Sequence, residues 1–341
     1  MRQVVIPRYG PPEVLEVRES KDPEPRPGEV RVRVGAAGIN FADIAARMGL
    51  YPDAPPLPMI MGYEAAGRID ALGGGDTRGL SVGDDVIAMT RFGGYSDVVV
   101  APAATVLKRP AGMTVEEGAA LPVTYLTAWH AMVVMGNLRK GERVLIHSAG
   151  GGVGTAAIQI AKIIGAETFG TASAGKHAEL KKLGLDHAID YTKDDFEPAV
   201  RDLTGGKGVH LVLDPVGGKS WRKGYRLLAP TGRLCVFGYS EMSSGRTTRS
   251  LLKVLKELAT VPKWGPLDLM NRNAGVFGVN MGHLWGETEL LMGELTAILG
   301  HYEAGRIKPV VDRAFPFAEA AQAHAFIQAR KNLGKVLLKP V

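Results

Sequence analysis

The stretch from Arg143 to Ala161, RVLIHSAGGGVGTAAIQIA, decides the fold of this chain. Val144-Leu145-Ile146 is a short apolar and β-branched run, too brief for a helix and suited to a strand buried in a parallel sheet. Ala149, Gly150, Gly151, Gly152, Val153 and Gly154 then form a turn with almost no side chains. From Thr155 to Ile164 apolar residues return at helical spacing. Strand, glycine turn and helix in that order is the setting a dinucleotide fingerprint needs. Read as G-x-G-x-x-G, its key places are Ala149, Gly151 and Gly154. Gly151 is expected to let the backbone approach a pyrophosphate, and Gly154 to let helix and strand pack closely. The helix N-terminus offers unpaired N–H groups and a partial positive charge to phosphates. The alternative is a glycine-rich turn without a ligand, but the flanking strand and helix favour the cofactor.

Working outward, 341 residues suffice for two domains with sizeable cores. Glycine is over-represented, at 44 residues, which fits many tight turns between short strands. The formal charge of +6 is spread along the chain. It suits an anionic cofactor and gives no indication of nucleic acid. No apolar run is long enough to span a membrane, and the start, MRQVVIPRYG, lacks the apolar core of a signal peptide. A single cysteine, Cys235, excludes an internal disulfide and a cysteine-rich zinc site. A cytoplasmic setting is expected.

Residues 1–120 read as a β-rich domain. Val4-Val5-Ile6 and Val14 to Val17 are strand candidates, and Val30, Val32 and Val34 alternate with Arg31 and Arg33 as a half-buried strand should. Asn40 to Met48 can form a short helix closed by Gly49. Met59 to Leu72, Gly83 to Ile87 and Tyr95 to Val100 add turn-and-strand units, which together suggest a compact barrel. From about Leu121 helices alternate with short apolar strands at Val144–Ile146, Thr168–Thr171, Ala188–Ile189, Val209–Leu213, Arg233–Phe237 and Val276–Val279. That alternation predicts an open parallel sheet covered by helices. After a helix near Glu287–Glu303, residues 307–341 return to strand-helix-strand and can complete the first domain.

An NAD site places an Asp or Glu about 20 residues past the glycine turn, on the ribose 2′-OH. Here that place reads GTASAGK, Gly170 to Lys176, with no acid. Ser173 can donate a hydrogen bond, and Lys176 can meet a 2′-phosphate as a point charge. NADPH is favoured over NADH; the alternative for Lys176 is a solvated residue at a helix start.

The combination GINFAD (Gly38 to Asp43), GYEAAG (Gly62 to Gly67), GDDV (Gly83 to Val86) and Ala149 to Gly154 resembles the medium-chain dehydrogenase/reductase superfamily. Within it the chain is similar to the zinc-free quinone oxidoreductases, including zeta-crystallin. NFAD (Asn40 to Asp43), GLY (Gly49 to Tyr51), FGTASA (Phe169 to Ala174), Asp190-Tyr191 and NLGKVLL (Asn332 to Leu338) resemble the branch of the synaptic-vesicle membrane protein related to quinone oxidoreductase. The resemblance covers essentially the whole chain. It implies a GroES-like β-barrel catalytic domain from residues 1–122 and 284–341, and a Rossmann NADP-binding domain from residues 123–283, with the cofactor between them.

The resemblance also implies site residues. Tyr191, with Ser173 and Lys176, surrounds the 2′-phosphate; Asn40, Asp43 and Thr127 lie near the nicotinamide, as do Phe237-Gly238 and Phe277-Gly278-Val279. Asn40 can alternatively cap the following helix, and Tyr191 can be a half-exposed turn residue. Tyr51 matches a tyrosine proton donor of related enoyl reductases, or else it is an apolar lid residue in the Pro-rich loop Tyr51–Pro58. Zinc-dependent relatives carry a cysteine where this chain has Asn40 and a histidine where it has Tyr63. With eight scattered histidines and one cysteine, no metal site is expected.

Hydride transfer to a quinone, or to an α,β-unsaturated carbonyl, is the chemistry implied. A low-turnover NADPH-binding structural or membrane-associated protein is the other class that the resemblance allows. Residues 243–269 read as a longer segment than in the simplest quinone reductases. Leu251, Leu252, Leu255 and Leu258 share a helical face with Arg249, Lys253 and Lys256 among them. Such a segment packs on its own protein or makes peripheral membrane contact. Gly275 to Val279 reads as an edge strand, and the resemblance implies a homodimer formed by pairing two such edges.

Overall fold

The computed structural model describes residues 1–240 and 259–341. Two sheets dominate it. A small antiparallel pair, β1 (Arg2–Val5) and β2 (Glu16–Glu19), flanks the first. The strand expected at Val14–Val17 starts later, because Pro11 and Pro12 set φ for a 3₁₀ turn over Pro12–Val14. β3 (Glu29–Gly38), β4 (Glu64–Leu72), β5 (Asp85–Met89), β6 (Val98–Pro102) and β7 (Val106–Lys108) follow with antiparallel pairing. In β3 the period of two is obeyed: Val30, Val32 and Val34 are buried. Arg31 and Arg33 turn outward and share Asp70, at 2.8 and 2.5 Å. The run from Met59 becomes regular strand only at Glu64; Met59 itself makes a single bridge to Ile6. Between β3 and β4 stands α1 (Phe41–Arg47), stopped by Gly49 at φ +71°.

Two helices lead to the second sheet. α2 (Val115–Ala120) carries a reciprocal cap, in which Thr114 Oγ1 accepts from Glu117 N–H and the Glu117 carboxylate from Thr114 N–H. α3 (Pro122–Trp129) runs into a single π turn over His130–Val134. β8 (Arg143–Ile146), α4 (Gly152–Ile164), β9 (Glu167–Ala172), α5 (His177–Lys182), β10 (His187–Asp190), α6 (Phe196–Leu203), β11 (Val209–Asp214), α7 (Lys219–Arg226) and β12 (Leu228–Val236) then alternate as predicted. Past the undescribed residues come α8 (Pro266–Arg272) and β13 (Gly275–Gly278). All pairings in this sheet are parallel, in the order β10-β9-β8-β11-β12-β13. Counted from β8 that order is 3-2-1-4-5-6, so the direction of winding reverses between β8 and β11. The amphipathic reading of residues 243–269 falls largely on residues 241–258 and lies outside the described residues. Among the described residues no helix is long and apolar enough to cross a membrane.

α9 (Thr288–Glu303) buries Leu291, Leu295 and Ile298 in one cluster with Leu126, Ala156 and Ile160. The tail, β14 (Val311–Pro316), α10 (Ala320–Gln328) and β15 (Lys335–Lys339), returns to the first sheet, where β15 sits between β14 and β3. The mixed sheet with its GroES-like strands and the parallel Rossmann-like sheet are thus the α/β architecture the sequence leads one to expect.

Under the first sheet lies a polar cluster. His324 is wholly buried, its Nε2 3.4 Å from Tyr95 Oη, and burial depresses its pKa to about 3. Tyr95 Oη donates to Asp43 at 2.8 Å. Because the folded His324 pKa lies below its unfolded value of 6.5, its contribution is present above pH 6.5 and lost as pH falls towards 3. Asp43 acts oppositely: burial raises its pKa from 3.8 to about 6, against the N–H of Asn40, the Tyr95 phenol and Lys335. Its contribution is present below pH 3.8 and lost as pH rises through 6. Urea unfolding of wild type and His324→Gln at pH 7 and pH 5 separates the two, since both proteins retain Asp43. The wild type should lose about 2 kcal/mol more than the variant across that interval; equal losses would show that His324 is not held neutral.

Candidate functional site

The glycine turn closes β8 at the reversal point of the parallel sheet. Ser148 adopts φ +54°, and its carbonyl accepts from Gly151 N–H at 2.8 Å. α4 then starts with Gly151 as its N-cap residue. A Cβ on Gly154 would stand 2.4 Å from Ser148 O and 2.6 Å from Ala149 Cα, which is the close approach expected of the third place. A Cβ on Gly151 meets only Ser148 O, at 3.3 Å. Gly151 faces a cleft of about 1380 Å³ lined by both sheets' domains. The tail binds this turn directly: Gly334 N–H donates to Gly150 O at 2.9 Å.

Nearly all the residues selected from sequence meet in that cleft. Asn40, Tyr51, Thr127, Gly150, Gly151, Gly152, Val153, Gly154, Ser173, Lys176, Tyr191, Phe237, Gly238, Gly278 and Val279 line it. Three do not. Ala149 is buried under the turn, where its N–H donates to Thr171 O at 3.0 Å. Phe277, on β13, is partly buried and packs against the core. Asp43 is wholly buried behind Asn40, where its carboxylate accepts from Asn40 N–H at 2.7 Å and Tyr95 Oη at 2.8 Å. It therefore supports the wall rather than facing the cleft.

At one end, Ser173, Lys176 and Tyr191 are joined by Arg330, whose guanidinium lies 5.8 Å from the Tyr191 ring centre. Lys176 Nζ donates to the carbonyls of Arg330 and Asn332. That uses two of its three N–H donors. Burial lowers its pKa, with Asp312 pulling the other way. Arg330 was invisible from sequence because it is 154 residues from Lys176 along the chain.

At the other end an ion pair is sealed in the wall. Lys335 and Glu64 are buried, and Lys335 Nζ lies 2.5 Å from Glu64 Oε1. Lys335 Nζ also donates to Asn40 Oδ1 at 2.5 Å, while Asn40 Nδ2 donates to Glu64 Oε1 at 3.0 Å. Glu64 Oε2 accepts from Val123 N–H at 2.7 Å. Asn40 occupies the N-cap position of α1, yet both polar atoms of its amide are committed to this pair. Neither Glu64 nor Lys335 was selected from sequence, although both fall inside the motifs quoted for the resemblance.

Thr127 donates its hydroxyl back to Val123 O at 2.6 Å, so it offers the cleft lone pairs only. One turn on, His130 reaches Glu294 through Nδ1 at 2.9 Å. Tyr51 is half-buried on its loop; a methyl on Gly282 would stand 3.0 Å from its hydroxyl. Nearby, Asp53 and His283 meet at 2.9 Å. Loop Tyr51–Pro58 thus reaches the segment after β13 across the cleft mouth.

A switch-point glycine turn facing a barrel-like sheet across a deep cleft is the setting of a dinucleotide-binding site. Residues 26–111 match the family described as alcohol dehydrogenase GroES-like domain, and residues 183–338 the one described as zinc-binding dehydrogenase. The synaptic vesicle membrane protein VAT-1 homolog of Rattus norvegicus is 41% identical over 327 residues, covering 96% of this chain and 80% of that protein. The structure of Escherichia coli quinone oxidoreductase complexed with NADPH is 30% identical, covers 100% of both chains and superposes with a TM-score of 0.86. The CurK enoyl reductase structure is 28% identical, covers 99% of this chain and 98% of its own, and superposes with a TM-score of 0.85. The chain belongs to the medium-chain dehydrogenase/reductase superfamily and is an NAD(P)-dependent oxidoreductase of that kind. The described residues offer no donor set that fits the zinc that one family description names. Among the described residues no group of three or more His, Cys, Asp or Glu is placed to hold a metal ion, and a lysine ammonium sits against Glu64.

Proposed function

We infer that the protein is an NADPH-dependent, metal-independent reductase that delivers hydride to a quinone. The observation that carries this is the cationic corner at Ser173, Lys176, Tyr191 and Arg330, standing where an NAD enzyme places an acid. When bound, NADPH supplies a hydride from C4 of its dihydronicotinamide. Gly151 to Gly154 and the first N–H groups of α4 hold the pyrophosphate. Ser173, Lys176, Tyr191 and Arg330 hold the 2′-phosphate. Thr127, Phe237, Gly238, Gly278 and Val279 frame the ring, with Phe277 packed behind them. Asn40, its amide held by Lys335 and Glu64, forms part of the wall at the reacting end.

Lys176→Ala should weaken NADPH binding by about 1.5–3 kcal/mol, the range for a hydrogen bond to a charged group. NADH affinity should barely move. Fluorescence titration with both cofactors checks this, and equal losses would remove Lys176 from the 2′-phosphate. An NADPH-binding protein with little turnover is excluded if NADPH oxidation follows addition of quinones.

The half-buried Tyr51 phenol at the cleft mouth supports a second reading, reduction of α,β-unsaturated carbonyls. Burial raises its pKa, and the neighbouring Tyr63 phenol works against that rise. Reduction of an enone leaves an enolate whose carbon must be protonated, and a positioned acid contributes about 10²–10⁴-fold. A reduced quinone oxygen can take its proton from water. Tyr51→Phe should therefore change quinone turnover by only a few-fold, about the size expected when no obligatory group is lost. A loss of about 10²-fold or more with both acceptor classes would make Tyr51 an obligatory acid.

Among the described residues β13 pairs with β12 alone and forms the edge of the parallel sheet. Such an edge is a template for a second copy, and we assign a homodimer to it. Light scattering should report twice the chain mass; a monomer at micromolar concentration would count against the assignment.

A further inference from the structure

Tyr63 lines the cleft but is only 6% exposed. Its hydroxyl oxygen is buried and, among the described residues, has no partner in full hydrogen-bond geometry. Buried polar groups are satisfied almost without exception, so an orphan in a cleft wall marks a partner that arrives with the ligand. The residue is held in place from every side. Gly62 N–H points to Asp43 at 3.3 Å, Tyr63 O accepts from Thr90 N–H at 2.8 Å, and the next residue is the buried Glu64. Its ring packs at 5.4 Å from Phe92 and 6.2 Å from Trp285. Tyr51 is the neighbouring phenol, and its hydroxyl is the one group that interacts with that of Tyr63 among the described residues, as a hydrogen-bonding pair that falls short of full hydrogen-bond geometry. Two phenols, one fixed by the core and one carried on the mouth loop, therefore stand together in the wall of the cleft.

We propose that Tyr63 is the anchor for the acceptor's carbonyl oxygen, donating its O–H to that oxygen beside Tyr51. The proposal rests on the reductase reading and narrows the substrate to a planar conjugated carbonyl with its oxygen directed at the two phenols. Hydride addition to a ring carbon forms a C–H bond and moves the conjugated electron pair onto this oxygen, while NADPH becomes NADP⁺; in a quinone the same carbon then passes a proton through water to the second oxygen, which restores the aromatic ring. Tyr63 stabilises the new charge without giving up its proton, and water supplies the proton of the product. A donor fixed before the reaction costs no reorganisation when the charge appears.

The test is Tyr63→Phe in the full chain, with three readouts. Steady-state reduction of 1,4-benzoquinone by NADPH should fall by about 10²-fold in kcat/KM, the size of losing one oxyanion donor. Calorimetric affinity for hydroquinone in the presence of NADP⁺ should fall about tenfold or more, with NADPH affinity unchanged. The melting temperature should hold or rise, because the substitution removes an unsatisfied hydroxyl and keeps the ring. A structural role predicts the reverse, a lower melting temperature with kinetics to match. Unchanged kcat/KM and hydroquinone affinity would overturn the proposal. Should the wild type bind NADPH and hydroquinone without turning over quinones, the reductase reading fails, and the hydroquinone arm alone still decides on Tyr63.

Discussion

Gly154→Val should leave a protein that melts far below wild type and shows no measurable NADPH binding. The atoms a Cβ would strike, Ser148 O at 2.4 Å and Ala149 Cα and O at 2.6 Å, are backbone of the glycine turn itself. No rotamer change can relieve that contact, so α4 must lift away from β8. Overpacking a tight site costs about 1–3 kcal/mol for each small increment, and valine adds a branched side chain where no methyl fits. The phosphate-facing N–H groups move with the helix, and a misplacement of about 1 Å is enough for a 10²-fold functional loss. Gly151→Ala is the matched control. Its Cβ meets only Ser148 O, at 3.3 Å, and otherwise enters the cleft. That variant should keep the wild-type unfolding midpoint and lose NADPH affinity. A Gly154 variant with a wild-type melting curve would show that helix and turn do not need this approach.

Lys335→Met should be nearly as damaging, for an electrostatic reason. The side chains of Lys335 and Glu64 are 4% and 0% exposed, so neither charge has water as an alternative partner. Removing the ammonium leaves Glu64 buried with, among the described residues, only Asn40 Nδ2 and Val123 N–H as donors. Breaking one side of such a pair costs about 3–5 kcal/mol. Asn40 also loses the donor that fixes its amide, so turnover should fall beyond what the reduced folded fraction explains. Adding Glu64→Gln to Lys335→Met removes the stranded charge and should recover much of the stability. Urea titration of wild type, both single variants and the double variant measures the coupling. Additive losses would mean that the pair is not the unit described.

These two sites mark how much of the molecule was legible before it was folded. The glycine turn is a local feature: a strand, a turn without side chains and a helix follow within 19 residues, Arg143 to Ala161. Turn chemistry and periodicity act between near neighbours, which is why β3, α4 and the strand-helix-strand tail could be placed from the chain alone. The absence of an acid past β9, together with Ser173 and Lys176, carried the cofactor preference for the same reason. Boundaries at Val14–Val17 and Met59–Glu64 shifted because prolines and a single bridge, rather than apolar pattern, set where the strands begin.

Tertiary structure decided what the cleft contains. Asn40 read equally well as a helix cap, and only the arrival of Lys335, 295 residues later, turned its side chain away from the helix. Asp43 stands in the same motif but rotates under the sheet to meet Tyr95. Arg330 joins Lys176 because β15 docks between β14 and β3, which carries the preceding loop to the glycine turn. Tyr63 is conspicuous only once its buried hydroxyl is seen to lack a partner in full hydrogen-bond geometry among the described residues, a property of packing that no spacing along the chain encodes. The sequence by itself determined the two sheets and the phosphate-binding turn, because these depend on neighbours within a few residues. The polar wall that faces the acceptor depends on charges and hydroxyls far apart in the chain, and their burial together exists only in the folded protein.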